Sequence, residues 1–407
     1  MHSDKNSHIS ILAIITALCL LGDSMLYIVL PVYYQQVGLS SLWEVGIVLS
    51  VNRLVRLPLN PLIGWFYNHI SERTGILIAV ALAVLTTIAY GWLPGLVWWI
   101  VARCLWGVAW TLLRLGALFS ILRVSTTENR GQLTGKYNGL YRLGSLGGML
   151  LGGLLADLIG FQNTVLIFGA VTACAGFLAF SRLPKSMATS ETTVTKQRSV
   201  IRAFAELVGQ PHVLWIMASG AAVAFVTQGV IASTLSRLIN THTNGDITIW
   251  GMMLGAATLA GFFQALRWGW EPWLAPFVGQ LSDQRFTRTG MMYATFGVGA
   301  AGMLLLALNL PLFLWFLCLL IVQLIATILN TVTEALASDT ASKNGGRALL
   351  MSFALMVDVG AAIGPLVAYF MNAYWGINSV YLLCALLFLV LCLKWYFYQR
   401  KTKPVSN

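Results

Sequence analysis

Residues 10–34 read SILAIITALCLLGDSMLYIVLPVYY, an apolar run whose one charge, Asp23, sits mid-way. An amphipathic surface helix would show a polar face every third or fourth residue. This run shows none, and its length suits the roughly 20 residues that cross a hydrocarbon core of about 30 Å. Runs of the same kind recur at 43–67, 75–93, 95–122, 133–159 and 161–181, then at 212–238, 248–280, 290–308, 311–337, 347–373 and 376–396. They are continuously apolar rather than alternating every second residue, which selects helices over a barrel. Twelve spans explain a chain of 407 residues that is 58% hydrophobic and only 10% charged, where soluble domains carry about 25% charged residues. The first run continues into more chain with no small-residue cleavage site, so it reads as a span and not a signal peptide.

The net charge of +11 invites a nucleic-acid reading, but its distribution argues for topology instead. With the N-terminus placed in the cytoplasm, 18 of the 25 Lys and Arg fall in cytoplasmic segments, Arg237 falls outside, and six lie within spans. That asymmetry is the positive-inside pattern, with both termini cytoplasmic. A multi-pass protein of a bacterial inner membrane, with no nucleic-acid partner, is the expectation. The polar stretch 182–211 divides a first half, 1–181, from a second, 212–407, and reads as a solvated linker; an amphipathic surface helix over Ser199–Gly209 is the alternative.

The halves repeat. A shift of 215 lays Pro61 on Pro276 and Gly64 on Gly279; a shift of 216 lays Gly144 on Gly360 and Gly148 on Gly364. Duplicated six-span halves are a recurring transporter plan. The six cysteines all fall in spans, without a CxxC pair or a neighbouring histidine, so neither disulfides nor a metal site is expected. No Walker A or GxSxG pattern occurs, and neither an enzyme nor a cofactor is expected.

Several motifs then point to a family. After span eight the sequence reads GQLSDQR, with Gly279, Leu281, Asp283 and Arg285; after span two the corresponding segment keeps Gly64 and Arg73 but has Asn68 in place of an aspartate. Span four carries Arg103 and Gly107 in RCLWGVAW. Span five has Gly144, Gly148, Gly152 and Gly153, with Met149 after the second glycine; span eleven has Gly360, Gly364 and Pro365. Together these resemble the major facilitator superfamily, most nearly its twelve-helix drug:proton antiporter branch. The resemblance implies an all-α membrane protein with twelve transmembrane helices in two pseudo-symmetric six-helix halves. It also implies a gating role for Gly64, Asn68, Arg73, Gly279, Asp283 and Arg285, weakened where Asn68 lacks the charge. Small residues every fourth position let helix backbones approach, so the glycines of spans five and eleven serve packing or antiport.

Ionisable residues inside the spans are the most informative feature: Asp23, Arg53, Arg56, Arg103, Arg114 and Arg142 in the first half, Arg267, Glu271, Glu334 and Asp358 in the second. A charge at the bilayer centre costs at least about 3 kcal/mol and marks a pathway by default. Spans three, six, nine and twelve have none at depth apart from Lys394 near a cytoplasmic end, and in the family fold these are the lipid-facing spans. Arg103 and Arg114 are three turns apart and share a face; Arg267 and Glu271 are spaced to pair on one helix. Arg56 corresponds to Glu271 and Arg142 to Asp358 by the repeat, so the halves are oppositely charged. The arginines suit carboxylate or phosphate groups of a substrate; internal ion pairing is the competing reading. The histidines all lie in loops or at span ends, which leaves Asp23, Glu334 and Asp358 to carry protons, Asp23 resembling the first-span acid of the antiporters. Trp98, Trp99, Trp375 and Trp395 read as interfacial anchors, and Trp106, Trp110, Trp268 and Trp270 as cavity candidates. Tyr27, Tyr137, Tyr141, Gln228, Gln264 and Gln323 are further polar candidates. The expectation is a monomeric, proton-coupled exporter of a drug-like or amphipathic small molecule bearing an anionic group. Transport of an organic anion or siderophore, or lipid flipping, are the alternatives.

Overall fold

The structure, a computed structural model, describes residues 2–125, 129–183, 209–243, 247–249, 252–284, 287–343 and 346–402. The described residues form twelve helices. The first six are α1 (His2–Tyr33), α2 (Leu42–Phe66), α3 (Glu72–Ala89), α4 (Leu96–Val124), α5 (Arg130–Ile159) and α6 (Phe161–Arg182). Then come α7 (Pro211–Thr243), α8 (Ala256–Gln284), α9 (Arg288–Leu306), α10 (Leu312–Lys343), α11 (Gly346–Trp375) and α12 (Ile377–Thr402). Ten are long and apolar enough to cross a membrane. The other two, α2 and α8, are those that carry Arg53 and Arg56, or Arg267 and Glu271, together with two internal prolines each, Pro58 and Pro61 or Pro272 and Pro276. The chain is a multi-pass, nearly all-helical membrane protein in this architecture.

One boundary differs from the sequence reading. Residues 248–249 and 252–254, expected within the first turns of span eight, instead lie in two short antiparallel strands, β1 (Ile247–Ile249) paired with β2 (Met252–Leu254). The β-branched Ile247-Thr248-Ile249 segment favours extended backbone, and helix begins only after Gly255. Most of the 182–211 linker, and all of Ser199–Gly209 but its last residue, lie outside the described residues.

The packing forms two compact units, residues 1–195 with 235–268 and residues 196–234 with 269–407. In the first, α5 lies directly on α1. Gly144, Gly148 and Gly152 face Ala17, Leu21 and Met25, both rows stepping by four, and a Cβ at Gly148 would fall 2.5 Å from the Leu21 carbonyl oxygen. In the second, α11 lies on α7 the same way. Gly360 faces Ala221, and a Cβ at Gly364 would fall 2.5 Å from Gly229 Cα. Here α7 widens into a π-helical stretch, Phe225–Ile231.

The offset of 216 recurs beyond these seams. Gly160 (φ 84°) and Gly376 (φ 77°) each make the single-residue, left-handed turn that joins α5 to α6 and α11 to α12. Ser71 caps α3 by accepting from Thr74 N, and Thr287 caps α9 by accepting from Gly290 N. Trp99 and Trp315 are both fully buried, their indoles donating to the carbonyls of Val37 and Leu306. Trp99 and Trp395 are therefore not interfacial anchors. Trp395 is enclosed as well and donates to Ser219 Oγ at 2.9 Å, whereas Trp98 and Trp375 are exposed. A buried indole N–H needs a partner, and each of these helix-end tryptophans found one inside its own unit.

Candidate functional site

A buried polar network centres on the carboxylate of Asp23 on α1. Arg103, fully buried on α4, forms an ion pair with its Oδ1 through Nη1. The same Oδ1 accepts from Asn52 Nδ2 of α2 at 3.1 Å. Oδ2 takes no hydrogen bond among the described residues. The guanidinium is fixed by two further bonds, Nε to the Val48 carbonyl at 3.1 Å and Nη1 to Tyr90 OH at 3.4 Å, while its Nη2 is buried without a partner. Tyr90 in turn stacks on Trp99, centroids 5.1 Å apart. A charged pair this deep persists because each member neutralises the other; removing one leaves a buried charge.

The network runs on along α2. Asn52 Oδ1 accepts from both Nε and Nη2 of Arg56, at 3.1 and 2.6 Å. Arg56 lies over the Trp110 ring at 5.3 Å, and Trp110 meets Tyr141 edge-on at 5.7 Å. Tyr141 adjoins Tyr137, whose hydroxyl shares a hydrogen bond with Thr16. Next to Asn52 in the chain, Arg53 donates to Tyr27 OH at 3.2 Å. The row Arg103, Gly107, Trp110, Arg114 on α4 passes from enclosed to open. Arg103 is buried, Trp110 nearly so, and Arg114 is exposed with no ion pair or hydrogen bond among the described residues. The two arginines expected to act together from one face thus have different environments, because the surroundings of α4 change along its length while the helical phase does not.

Arg142 and Arg267 converge on one indole, 5.4 and 5.7 Å from the Trp268 ring; Arg267 is buried and Arg142 exposed. Glu271 is half-buried one turn beyond Arg267 on α8. Of the other two acids, Glu334 on α10 is exposed, and Asp358 on α11 is half-buried with no hydrogen bond or ion pair among the described residues. Gln323 is fully buried with both amide atoms unpartnered, and Gln264 has an unpartnered Nε2.

The loops after α2 and α8 are less tightly built. Gly64 and Gly279 border open space, with nothing within 4 Å of an added Cβ. Asn68 is half-buried. Arg73 donates to the Phe180 carbonyl at 2.7 Å and lies over that ring, so it caps the C-terminal turn of α6, where a cation is favoured. Asp283 lies in the last turn of α8, and Arg285 lies outside the described residues.

Three features were missed from sequence. Asn52 was one; its signal was an amide buried in an apolar run four residues before an arginine. Asp157 at the end of α5 was another. Its Oδ1 accepts from Tyr33 OH at 2.9 Å, and its Oδ2 from Thr258 N at 2.8 Å and Thr258 Oγ1 at 2.6 Å. Helix α8 starts after Gly255, which has no side chain to cap it, so a carboxylate from another helix supplies the cap. The third is a repeated ion pair. Glu72 at the start of α3, fully buried, binds Arg123 near the end of α4 and accepts from Ser120 Oγ at 2.6 Å. At the 216 offset, Arg288 at the start of α9 binds Asp339 on α10 at 2.8 Å. The pair recurs with its polarity reversed, and applying the offset to loop charges would have found it.

Twelve helices in repeated halves, with charges gathered on the cavity-type helices, define a multi-pass secondary transporter. The sequence profile of the Major Facilitator Superfamily matches residues 9–270 and 273–407, and the chain belongs to that family. Over 312 residues it is 23% identical to a staphyloferrin B transporter of Staphylococcus aureus (strain NCTC 8325 / PS 47), covering 73% of this chain and 70% of that protein. The fold is similar to that of a bacterial homologue of the human lysosomal transporter Spinster (TM-score 0.76, 15% identity, 98% and 97% coverage). It is similar also to the nucleoside transporter NupG (TM-score 0.76, 14% identity, 98% and 100% coverage).

Proposed function

We propose that this protein is a proton-coupled exporter of the bacterial inner membrane, both termini cytoplasmic, moving a small amphipathic molecule with an anionic group by alternating access. The observation that carries the reading is the Asp23–Arg103 pair. Among the described residues both of its bonds fall on Oδ1, which leaves Oδ2 as a position for a proton. Asp358, half-buried and without a hydrogen bond, is the second proton candidate, and Glu334 the third. Arg53, Arg56 and Arg114, beside Tyr27, Trp110 and Tyr141, offer forked donors and aromatic faces suited to a carboxylate on an apolar body. Arg142 and Arg267 over the Trp268 ring extend that chemistry, and Glu271 is a further candidate on α8. The drug:proton antiporter resemblance favours outward movement.

A second reading, transport of a siderophore or other organic anion, is favoured by the staphyloferrin B transporter among the relatives. The test is purified protein in liposomes under an imposed pH gradient, with radiolabelled carboxylates and cationic dyes as parallel cargo. Gradient-driven movement of a carboxylate that stops in Asp23→Asn supports the proposal. Undiminished, still pH-driven transport by Asp23→Asn removes Asp23 as the carrier, and movement of cations alone refutes an anionic cargo.

A further inference from the structure

We infer that Asn52 is a positioning residue that transmits the protonation state of Asp23 to Arg56. The inference rests on the reading of Asp23 as a proton site and goes beyond it, because it says how a proton on α1 reaches a substrate-facing cation on α2.

The orientation of the Asn52 amide follows from its partners. Arg56 only donates and an ionised Asp23 only accepts, so Oδ1 must face Arg56 and Nδ2 must face Asp23. The side chain is fully buried, which leaves it no water with which to exchange either bond. It therefore joins a carboxylate to a guanidinium through one rigid planar group, accepting from two nitrogens of Arg56 and donating to the oxygen that also binds Arg103. Arg56 in turn covers Trp110.

The described residues place these groups near Asp23. Arg103 approaches from α4, Tyr90 from the end of α3, Arg53 and Arg56 from α2, and Tyr27 lies on α1 itself. Helix α5 presents Gly148 and Gly152 to this stretch of α1, and α6 has no charged side chain before Arg182. Asn52 is the neutral link within this set. When a proton binds Oδ2, the bond from Asn52 Nδ2 changes from charge-assisted to neutral and weakens by about half. The amide is then held mainly by Arg56 and turns with it, which loosens the hold on the guanidinium over Trp110. In the reverse direction, drawing Arg56 away toward an anionic cargo frees the amide and alters the proton affinity of Asp23, as linkage requires.

The test needs no cargo. Full-length protein in lipid nanodiscs is titrated by infrared difference spectroscopy, and the protonated carboxyl stretch of Asp23 is identified by its loss in Asp23→Asn. Titration is repeated in Arg56→Gln, Asn52→Leu and the double variant, with Asn52→Ser as a second link variant and thermal melts to show that each is folded. Removing the Arg56 cation is expected to move the midpoint of the Asp23 band, and that movement to fall by more than half when Asn52 is replaced by Leu or Ser. An equal Arg56→Gln shift with and without Asn52 overturns the link while leaving Asp23 as a proton site. A missing Asp23 band overturns the proton-site reading itself, and the link with it.

Discussion

Replacing Asp157 by Ala should detach the start of α8 from α5. The carboxylate takes three hydrogen bonds, from Tyr33 OH, Thr258 N and Thr258 Oγ1. Losing an N-cap costs about 1 kcal/mol, and each further hydrogen bond about 1 kcal/mol net. The total, roughly 3 kcal/mol, corresponds to a shift of about 100-fold toward the detached arrangement. Ala257 reports on it. That residue is fully buried, its carbonyl packed against Gly153 of α5. With the six native cysteines replaced by serine, the labelling rate of Ala257→Cys by a membrane-impermeant maleimide measures how often the segment opens. The rate should rise by up to about two orders of magnitude in Asp157→Ala. Thr258→Val keeps the backbone bond and loses only the hydroxyl, so it should raise the rate about five-fold. Asp157→Asn, which retains an acceptor, should fall between wild type and Asp157→Ala. Rates unchanged in both Asp157→Ala and Thr258→Val would refute the capping role.

Arg103→Ala should lower the amount of folded protein sharply, since an uncompensated Asp23 costs about 3–5 kcal/mol, and the double variant Asp23→Asn/Arg103→Gln should restore folding without restoring pH-driven transport, read by fluorescence size exclusion and vesicle assays. Gly148→Ala should reduce thermal stability by several degrees because its Cβ meets the Leu21 carbonyl at 2.5 Å, whereas Gly64→Ala and Gly279→Ala, which border open space, should melt as wild type does. Glu72→Arg and Arg123→Glu should each destabilise the first unit, and the exchanged double variant Glu72→Arg/Arg123→Glu should recover much of the loss, since the second unit already has that polarity in Arg288 and Asp339; a double variant no better than either single would count against the pairing.

The apolar runs made the twelve helices legible, because in lipid each span must satisfy its own backbone and so announces itself by length. The 216 offset in span five was legible for the same local reason, since helix approach requires glycine at a fixed spacing. What stayed hidden depends on distance in sequence. Asp157 caps a helix that begins about a hundred residues later, and no local pattern links it to Thr258. Asn52 bridges α1 and α2 through bonds to Asp23 and Arg56, of which only the second is local. Arg114 was legible as a membrane-depth cation, but its exposure depends on which helices surround α4. The span-eight boundary failed where a β-branched triplet continued the apolar run without continuing the helix.

The reversed ion pairs also bear on how such a chain avoids assembling wrongly. Because the halves repeat at the 216 offset, α3 beside α4 and α9 beside α10 are equivalent pairings. The wrong match would set Glu72 beside Asp339, and the converse match would set Arg288 beside Arg123, like charges in both cases. Opposite polarity at one repeated position thus gives each half a private code, and sorts helices that the rest of the repeat would leave interchangeable during insertion.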